Sequence, residues 1–338
     1  MAYTIMKALQ DLENEKMTRR QLIQCLSLGA TAASVACATS IASADSVASP
    51  AAEAGNKGLK AIAYNHISYQ TPEFDKTRDF YAELLGMKVV YDNGKQCALQ
   101  FGDPPNSLYI QRLSNPGDKA RVEHCCFTIA KFDEHEVEAE LKRRDANAKS
   151  GGHYEWVLQD PDGFPIQVGA VEKTYPFAGT DRDPKRLEDP AVFTRPQPAG
   201  AHSFKAIATS LVLRTADIAR SRDFYMGLLG MTKIYENDQE CFLSFGPSDN
   251  HLYIRKNERP DNKPYVEYLS FTIDKFNQDT VETELKRRGL APEPDSAYAW
   301  AVHAPDGFRF EVARKGLADH IGKICRGDAS TCPGGSRG

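Results

Sequence analysis

The histidines are the residues whose type and spacing come closest to a chemical site in this chain. Of the eight histidines, His66 is followed at two-residue steps by Ser68 and Gln70. Residues two apart on a strand project from the same face, so these three form a polar stripe. Lining a cavity, such a stripe can bind a metal ion or a polar ligand. An isolated strand histidine is more often a hydrogen-bonded structural residue, so the stripe alone does not choose between these roles.

Several common catalytic motifs are absent from the sequence. His135-Glu136 resembles the start of a zinc-protease helix, but Ala139 stands where the second histidine is required. There is no Cys-x-x-Cys pair, and thus no structural zinc is predicted. The chain also has no Gly-x-Ser-x-Gly elbow, P-loop or dinucleotide-binding glycine pattern, so no nucleotide cofactor is predicted. The net charge of −4 and the alternating signs of its charges predict no nucleic-acid partner.

An internal repeat determines the predicted architecture. Phe80-Tyr81 recurs 144 positions later as Phe224-Tyr225, and the same offset relates several further segments. These include the Leu-Leu-Gly-Met, Leu-Tyr-Ile and Leu-Lys-Arg-Arg segments, Trp156 and Trp300, and the Pro-Asp-Gly-Phe turns at 161–164 and 305–308. Chance does not keep so many matches in register over about a hundred residues, so the chain contains two copies of one unit.

Each copy is predicted to contain a strand, a helix and several further strands, and this order occurs twice within the copy. In the first copy, residues 61–70 alternate like a strand, and residues 75–85 form an amphipathic helix that ends at Gly86. Short strands are predicted at 88–91, 96–101 and 108–112. A second strand at 122–129 and a helix at 133–144 follow, and then strands at 154–159 and 165–170. The pattern predicts an α+β fold whose helices flank a mostly antiparallel sheet.

The N-terminal segment is predicted to be an export signal rather than part of the fold. Arg19-Arg20 precede a mildly apolar run that is rich in Ala, Ser and Thr and ends near Ala42-Ser43-Ala44. This segment resembles a twin-arginine signal, which predicts a periplasmic or extracellular protein cleaved after Ala44. The run is too short and polar for a stable membrane span. Translation can start at Met1 or at Met17.

These features divide the chain into six predicted parts. They are an export signal (1–44), a leader (45–60), a first domain (61–172), a Pro-rich charged linker (173–203), a second domain (204–315) and a flexible tail (316–338). Cys97 and Cys241 occupy equivalent places and are interpreted as buried strand thiols. Cys325 and Cys332 can close a small loop in the tail.

Three motifs in order resemble the vicinal-oxygen-chelate superfamily, which includes glyoxalases, bleomycin-resistance proteins and extradiol dioxygenases. They are the stretch from His66 to Phe80-Tyr81 with Leu-Leu-Gly-Met, the Glu123-His124-Cys-Cys-Phe-Thr-Ile strand, and the Asp160-Pro-Asp-Gly-Phe-Pro-Ile-Gln167 turn and strand. The resemblance covers both copies. It implies tandem domains, each made of two βαβββ modules that form a curled, half-open sheet around a cavity that typically holds a divalent metal.

The resemblance also implies which residues would hold that metal. In the first copy the ligand positions carry His66, His124 and Gln167, and in the second they carry Ser210, Tyr268 and Glu311. Two imidazoles and an oxygen donor leave coordination positions open for adjacent substrate oxygens. The second set is depleted, since a phenol titrates near pH 10 and is a poor ligand at neutral pH.

Sites of this family can also be shared between paired domains. Sharing would group His66 with Tyr268 and Glu311, and His124 and Gln167 with Ser210. The unshared grouping is preferred because it gathers both histidines in one site. Glu123 and Glu311 are the candidates for a proton-transferring group.

Two functions remain open from the sequence. The first is a metal-dependent lyase, isomerase or ring-cleaving oxygenase for a small oxygenated substrate, with iron, nickel, zinc or manganese as the metal. The second is a metal-free protein of the bleomycin-resistance type that sequesters a small molecule. In both, the two domains are expected to pair within the chain.

Overall fold

The computed structural model describes residues 58–115, 117–152, 155–170 and 202–321. The elements of the first copy are β1 (Ala61–Thr71), α1 (Phe74–Leu85), β2 (Lys88–Asp92), β3 (Gln96–Phe101), β4 (Asn106–Arg112), β5 (Arg121–Ile129), α2 (Glu134–Arg143), β6 (Lys149–Gly152), β7 (Glu155–Gln159) and β8 (Pro165–Gly169). Those of the second copy are β9 (Ala206–Thr215), α3 (Ile218–Leu229), β10 (Thr232–Glu236), β11 (Glu240–Phe245), β12 (Asn250–Lys256), β13 (Tyr265–Ile273), α4 (Gln278–Arg287), β14 (Glu293–Ser296), β15 (Ala299–His303) and β16 (Arg309–Arg314).

Each copy forms one eight-stranded sheet of the same topology. The strand order is β2-β3-β4-β1-β5-β8-β7-β6 in the first copy and β10-β11-β12-β9-β13-β16-β15-β14 in the second. The central strands β1 and β5 are antiparallel to each other, and each is parallel to the last strand of its own module, β4 or β8. The predicted α+β fold of paired βαβββ modules is therefore confirmed.

Capping residues mark the ends of the helices. Helix α2 begins at Asp133, whose carboxylate accepts a hydrogen bond from the amide of Glu136, and Asp217 and Asn277 cap α3 and α4 in the same way. Helix α1 ends at Gly86, whose φ of 63° lies in the left-handed region that favours glycine. The candidate site residues lie on the first strand of each module, except Gln167 and Glu311, which lie on β8 and β16.

The two copies share one hydrophobic core. Tyr81 on α1 packs against Phe310 of the second copy, with ring centroids 5.5 Å apart. In return, Tyr225 on α3 lies 6.2 Å from Phe127 of the first copy. Because the first helix of each copy packs against a sheet strand of the other, pairing of the copies buries apolar area that each copy alone would leave exposed.

Hydrogen bonds to the Asp-containing turns also bridge this interface. The hydroxyl of Tyr69 donates to Asp306 Oδ2 at 2.6 Å, and the hydroxyl of Tyr225 donates to Asp160 Oδ2 at 3.1 Å. Asp162 accepts from the amide of Ala216 at 2.6 Å. The two Asp-containing turns, which close the last hairpin of each copy, therefore also join the copies.

Most predicted elements match the structure, and two short strands were missed. Strands β6 and β14 have the sequences KSGG and EPDS, which carry no apolar alternation, and they pair only at the sheet edge. The four cysteines that the structure describes are buried free thiols, which confirms the interpretation of Cys97 and Cys241. The predicted signal lies outside the described residues, as do nearly all of the linker and Cys325 and Cys332.

Two further observations concern the predicted tail and the membrane. The first residues after Lys315 are packed rather than extended, since Leu317, Ala318 and Ile321 are buried. Among the described residues, no helix is long and apolar enough to cross a membrane.

Candidate functional site

Two histidines meet on the central strands of the first sheet. His66 on β1 is paired in register with Cys126 on β5, and His124 lies two residues earlier on β5, opposite Ser68. The Nε2 atoms of the two rings are 3.1 Å apart, and the ring planes are nearly perpendicular at 84°. The antiparallel register of β1 and β5 thus places both imidazoles on one face of the sheet.

Gln167 lies beside this pair on the neighbouring strand. Strand β8 runs parallel to β5, and Gln167 is in register with Cys126, so His66, Cys126 and Gln167 form one row across three strands. The Oε1 atom of Gln167 is buried and meets no hydrogen-bond partner within the described part of the chain. A buried acceptor without a donor costs free energy, so this oxygen marks a position for a ligand.

Asn65 fixes the orientation and tautomer of His66. The Asn65 amide nitrogen donates to the carbonyl of Ala170 at 2.8 Å, which leaves its Oδ1 as an acceptor 2.9 Å from His66 Nδ1. His66 Nδ1 therefore carries the proton, and its Nε2 presents a lone pair. Histidines that bind metals are commonly oriented by such a hydrogen bond on the other ring nitrogen.

A β-bulge supplies Asn65, and only the first copy has it. In the first copy Tyr64 pairs with Phe127 and His66 with Cys126, so Asn65 is an extra residue on β1. In the second copy, by contrast, the adjacent residues Thr209 and Ser210 pair with the adjacent residues Phe271 and Ser270. Bulges occur often beside functional sites, where they redirect a side chain.

Glu123 orients the second histidine. Its Oε2 lies 3.4 Å from His124 Nδ1 and accepts from the hydroxyl of Ser68 at 3.3 Å. The hydrogen bond with His124 is the largest cause that lowers the pKa of Glu123, so this candidate for proton transfer is a carboxylate at neutral pH. Because the carboxylate faces Nδ1, His124 also presents its Nε2 lone pair toward His66.

The electrostatics of the site favour a neutral His66 imidazole. Burial, and to a lesser extent the neighbouring His124, lower the pKa of His66 to about 3, against a smaller opposing effect of Gln167. Two lone pairs 3.1 Å apart repel each other unless a proton or a metal ion lies between them. Two nitrogens that bind one ion at about 2.1 Å lie roughly 3.0 Å apart at an octahedral angle and roughly 3.4 Å apart at a tetrahedral angle. The distance between the two Nε2 atoms therefore also fits a shared metal ion.

The second copy has a different cavity at the equivalent place. It has a volume of about 180 Å³, and Ser210, Tyr268 and Glu311 line it together with Arg309 and the aromatic rings of Phe242 and Tyr253. Leu317 and Ile321, which follow the last strand, complete its wall. Arg309 Nη2 lies 3.0 Å from Glu311 Oε1, and its guanidinium lies 4.0 Å above the ring of Tyr268. Two of the three equivalent ligand positions, Tyr268 and Glu311, thus interact with an arginine, and the hydroxyl of Ser210 lies 3.2 Å from His251 Nδ1.

Burial in this cavity favours the neutral form of Glu311. Burial, with a contribution from Asp295, raises the pKa of Glu311 to about 8, although Arg309 acts in the opposite direction. A protonated carboxyl group is a poor ligand for a divalent cation.

The structure therefore gathers the predicted residues into two separate groups. His66, His124 and Gln167 lie on adjacent strands of the first sheet, whereas Ser210, Tyr268 and Glu311 line the cavity of the second. Among the residues that the structure describes, no group of three or more His, Cys, Asp or Glu side chains could hold a metal ion. A metal site in the first copy would depend on the amide oxygen of Gln167, and its existence stays a prediction.

Sequence reasoning missed Asn65 as part of the site. A signal was present: Ile62-Ala63 matches Ile207-Ala208 at an offset of 145, whereas the motifs after it match at 144. The one-residue difference is the bulge that carries Asn65.

Comparison with known protein families agrees with this geometry. The Glyoxalase/Bleomycin resistance protein/Dioxygenase superfamily profile matches residues 63–168 and again residues 207–312. The chain belongs to this superfamily. Each match begins in the first strand and ends in the last strand of one sheet, so each copy is one superfamily domain.

Solved structures with the same fold include a glyoxalase and 2,3-dioxygenases. The Mn(II)-bound glyoxalase from Novosphingobium aromaticivorans aligns with a TM-score of 0.56 and 16% identity, over 76% of this chain and 83% of that chain. A 2,3-dioxygenase from Pseudomonas sp. KL28 aligns with a TM-score of 0.55 and 14% identity, over 76% and 93%. A variant of homoprotocatechuate 2,3-dioxygenase from B. fuscum aligns with a TM-score of 0.54 and 13% identity, over 77% and 73%. No curated protein sequence matches this chain.

Proposed function

We propose that the first domain binds a divalent metal through His66, His124 and Gln167 and that this superfamily protein is a metal-dependent enzyme acting on a small oxygenated substrate. The observation that carries the proposal is the convergence of two Nε2 lone pairs 3.1 Å apart beside the buried, unpaired Oε1 of Gln167. A proton shared by the histidines would bind only the two ring nitrogens, whereas a metal ion would accept all three donors.

The bound metal would act as a Lewis acid that polarises adjacent substrate oxygens or stabilises an enolate-like intermediate. The chain's own residues orient the ligands: Asn65 holds the Nδ1 proton of His66, and Glu123 faces Nδ1 of His124. Glu123 is half-exposed and ionised, so it is also the nearest carboxylate able to accept a proton from a substrate.

The reaction class follows from the metal. Iron would support ring-cleaving oxygenation, and nickel, zinc or manganese would support a lyase or isomerase reaction. Solved structures with this fold are consistent with both reaction classes, because they include a Mn(II)-bound glyoxalase and an extradiol ring-cleaving dioxygenase.

Metal content measured on the purified full chain by mass spectrometry tests the proposal. We expect close to one divalent ion per chain, and its loss in the double variant His66→Ala, His124→Ala. The matched control is His251→Ala, which removes a buried histidine of the second domain that hydrogen-bonds Ser210. Absence of bound metal after incubation with iron(II), nickel, zinc and manganese would refute the proposal.

A second candidate is a metal-free protein that sequesters a small molecule. The neutral amide at position 167 favours it, because Gln167 contributes no charge to hold a dication and the described residues offer no group of three stronger ligands. In this case a small ligand would bind with equal affinity before and after treatment with a chelator, and the double variant would retain it.

We also propose that the protein is exported through the twin-arginine-like segment around Arg19-Arg20. Fractionation of cells that express the full chain should place the wild type in the periplasm or medium, in a shortened form. The double variant Arg19→Lys, Arg20→Lys should remain in the cytoplasm at full length. Equal export of both proteins would contradict this proposal.

A further inference from the structure

The face of the first sheet that carries His66 and Ser68 also carries a row of three glutamines. Gln111 on β4 is paired in register with Gln96 on β3 and with Gln70 on β1. Gln70 continues the face of His66 and Ser68, and Gln111 Nε2 donates to the Ser68 hydroxyl at 3.4 Å, so the row lies on the side of the site.

The same row in the second copy consists of charged residues. Arg255 pairs there with Glu240 and with Arg214. Both arginines contact Glu267: Arg214 Nη2 at 2.7 Å and Arg255 Nη1 at 3.0 Å. The equivalent positions of two homologous sheets thus hold an ion-pair network in one domain and neutral amides in the other.

Other charged or bulky residues that line the second cavity also correspond to small, uncharged residues in the first copy. By the repeat offset, Arg309 and Asp295, which form an ion pair at 3.1 Å, correspond to Pro165 and Gly151. Phe242, whose ring lines the second cavity, corresponds to Ala98. The first copy therefore has smaller and uncharged side chains at these places.

The amide row offers hydrogen bonds without charge. The hydroxyl of Tyr109 donates to Gln96 Oε1 at 2.8 Å, whereas Gln70 Oε1 is buried and has no partner among the residues described. Each amide side chain can donate and accept, so the row suits hydroxyl or amide groups of a ligand. A buried acceptor such as Gln70 Oε1 requires a donor from the ligand.

The charged residues nearest the glutamine row lie on β5, next to Gln70. Arg121, paired with Gln70 at the start of β5, is exposed and lowers the pKa of Glu123. Glu123 lies between Arg121 and the histidines along the strand and would repel a carboxylate that approaches the site. Along β1, β3 and β4, the cavity-facing positions that the structure describes hold no lysine or arginine.

We propose that the first domain selects an uncharged substrate whose hydroxyl groups bind the row formed by Gln70, Gln96 and Gln111. This proposal rests on the proposed metal-dependent function and specifies its substrate class. A substrate carboxylate or phosphate placed against this row would lose its hydration and meet the Glu123 carboxylate, with only the exposed Arg121 as a cationic group beside it, which is costly. An uncharged hydroxyl group would satisfy Gln70 instead.

The test compares two ring compounds with adjacent hydroxyl groups that differ in one substituent. We would measure binding of 3,4-dihydroxybenzyl alcohol and of 3,4-dihydroxybenzoate to the full chain at saturating Mn²⁺ by calorimetry at pH 7. The neutral alcohol, whose third hydroxyl can reach the row, is expected to bind more tightly by about tenfold or more. The double variant Gln70→Arg, Gln111→Arg, which introduces the arginines of the second copy, should reverse this preference at saturating Mn²⁺. In Arg121→Gln the preference of the wild type should persist.

Three outcomes would overturn the inference: equal or tighter binding of the carboxylate by the wild type, no binding of 3,4-dihydroxybenzyl alcohol, or an unchanged preference in the double arginine variant. Each of these can occur in a protein that binds Mn²⁺ through the histidines. Failure to bind any metal refutes the proposed function instead, so the two failures are distinguishable.

Discussion

Asn65 Oδ1 accepts a hydrogen bond from His66 Nδ1 at 2.9 Å, and Asn65 is an inserted residue that the second domain lacks. The same side chain is anchored by its donation to the carbonyl of Ala170 at the end of β8, the strand that carries Gln167. One bulge residue thus links the orientation of a candidate ligand on β1 to the strand that supplies the third donor.

Asn65→Ala should weaken metal binding without unfolding the domain. Loss of the acceptor frees the His66 ring to rotate and to change tautomer, and such hydrogen bonds typically contribute about 10- to 100-fold in metal affinity. The dissociation constant for Mn²⁺ should rise accordingly, and Asn65→Asp, which retains an acceptor, should recover most of the affinity. Thermal unfolding of the metal-free proteins separates this effect from a loss of stability. Equal affinities of the Ala variant and the wild type would show that Asn65 has no role in positioning His66.

Gln167→Glu should strengthen metal binding. The Oε1 atom of Gln167 is buried without a partner among the described residues, so a carboxylate at this place would add a negative charge where a cation is proposed. We expect the dissociation constant for Mn²⁺ to fall by about tenfold or more. The control is Gln159→Glu on the exposed end of β7, which should leave affinity unchanged. Weaker binding in Gln167→Glu would argue that this side chain does not face the ion.

The fold was predictable from the sequence because the repeat places the same turn and strand motifs twice, as Asp160-Pro-Asp-Gly and its counterpart before Phe308 illustrate. The proximity of His66 and His124 was predictable because both occupy motif positions of the family. The role of Asn65 was not predictable, because a single inserted residue is recognised only when the register of β1 against β5 is known. The ion pairs of Arg214 and Arg255 with Glu267 likewise join residues from three strands, and no local pattern predicts such contacts.

Asp160 should make stability depend on pH. Burial raises the pKa of Asp160 to about 6, although the hydrogen bonds from Phe164 and Tyr225 act in the opposite direction. Because its pKa is higher in the folded than in the unfolded protein, its protonation stabilises the fold below about pH 4, and this contribution is lost as pH rises through about 6. In Asp160→Asn, the free energy of unfolding in urea should fall less between pH 4 and 7 than in the wild type, by about 1 kcal/mol or more. Identical pH profiles would contradict the assignment.

Gly246→Ala should destabilise the pairing of the two domains far more than the same substitution at Gly163 does. Gly246 follows β11 with a φ of +70°, and a Cβ atom built there would lie 2.0 Å from the carbonyl oxygen of Ile62 in the other domain. Its counterpart Gly102 approaches the carbonyl of Ile207 in the same way, at 2.4 Å. A backbone atom cannot move aside as a flexible side chain can, so the domains must shift apart.

The control for this change is Gly163→Ala, which has a φ of +91° but nothing within 4 Å of the added methyl group. It carries only the backbone strain of a positive φ, about 1–2 kcal/mol. Gly246→Ala adds the clash with Ile62, so we expect a loss of about 3 kcal/mol or more in the free energy of unfolding. Urea unfolding followed by tryptophan fluorescence measures both variants, since each domain contains one tryptophan, Trp156 or Trp300. Similar losses in the two variants would show that the close approach of Gly246 to Ile62 does not hold the domains together.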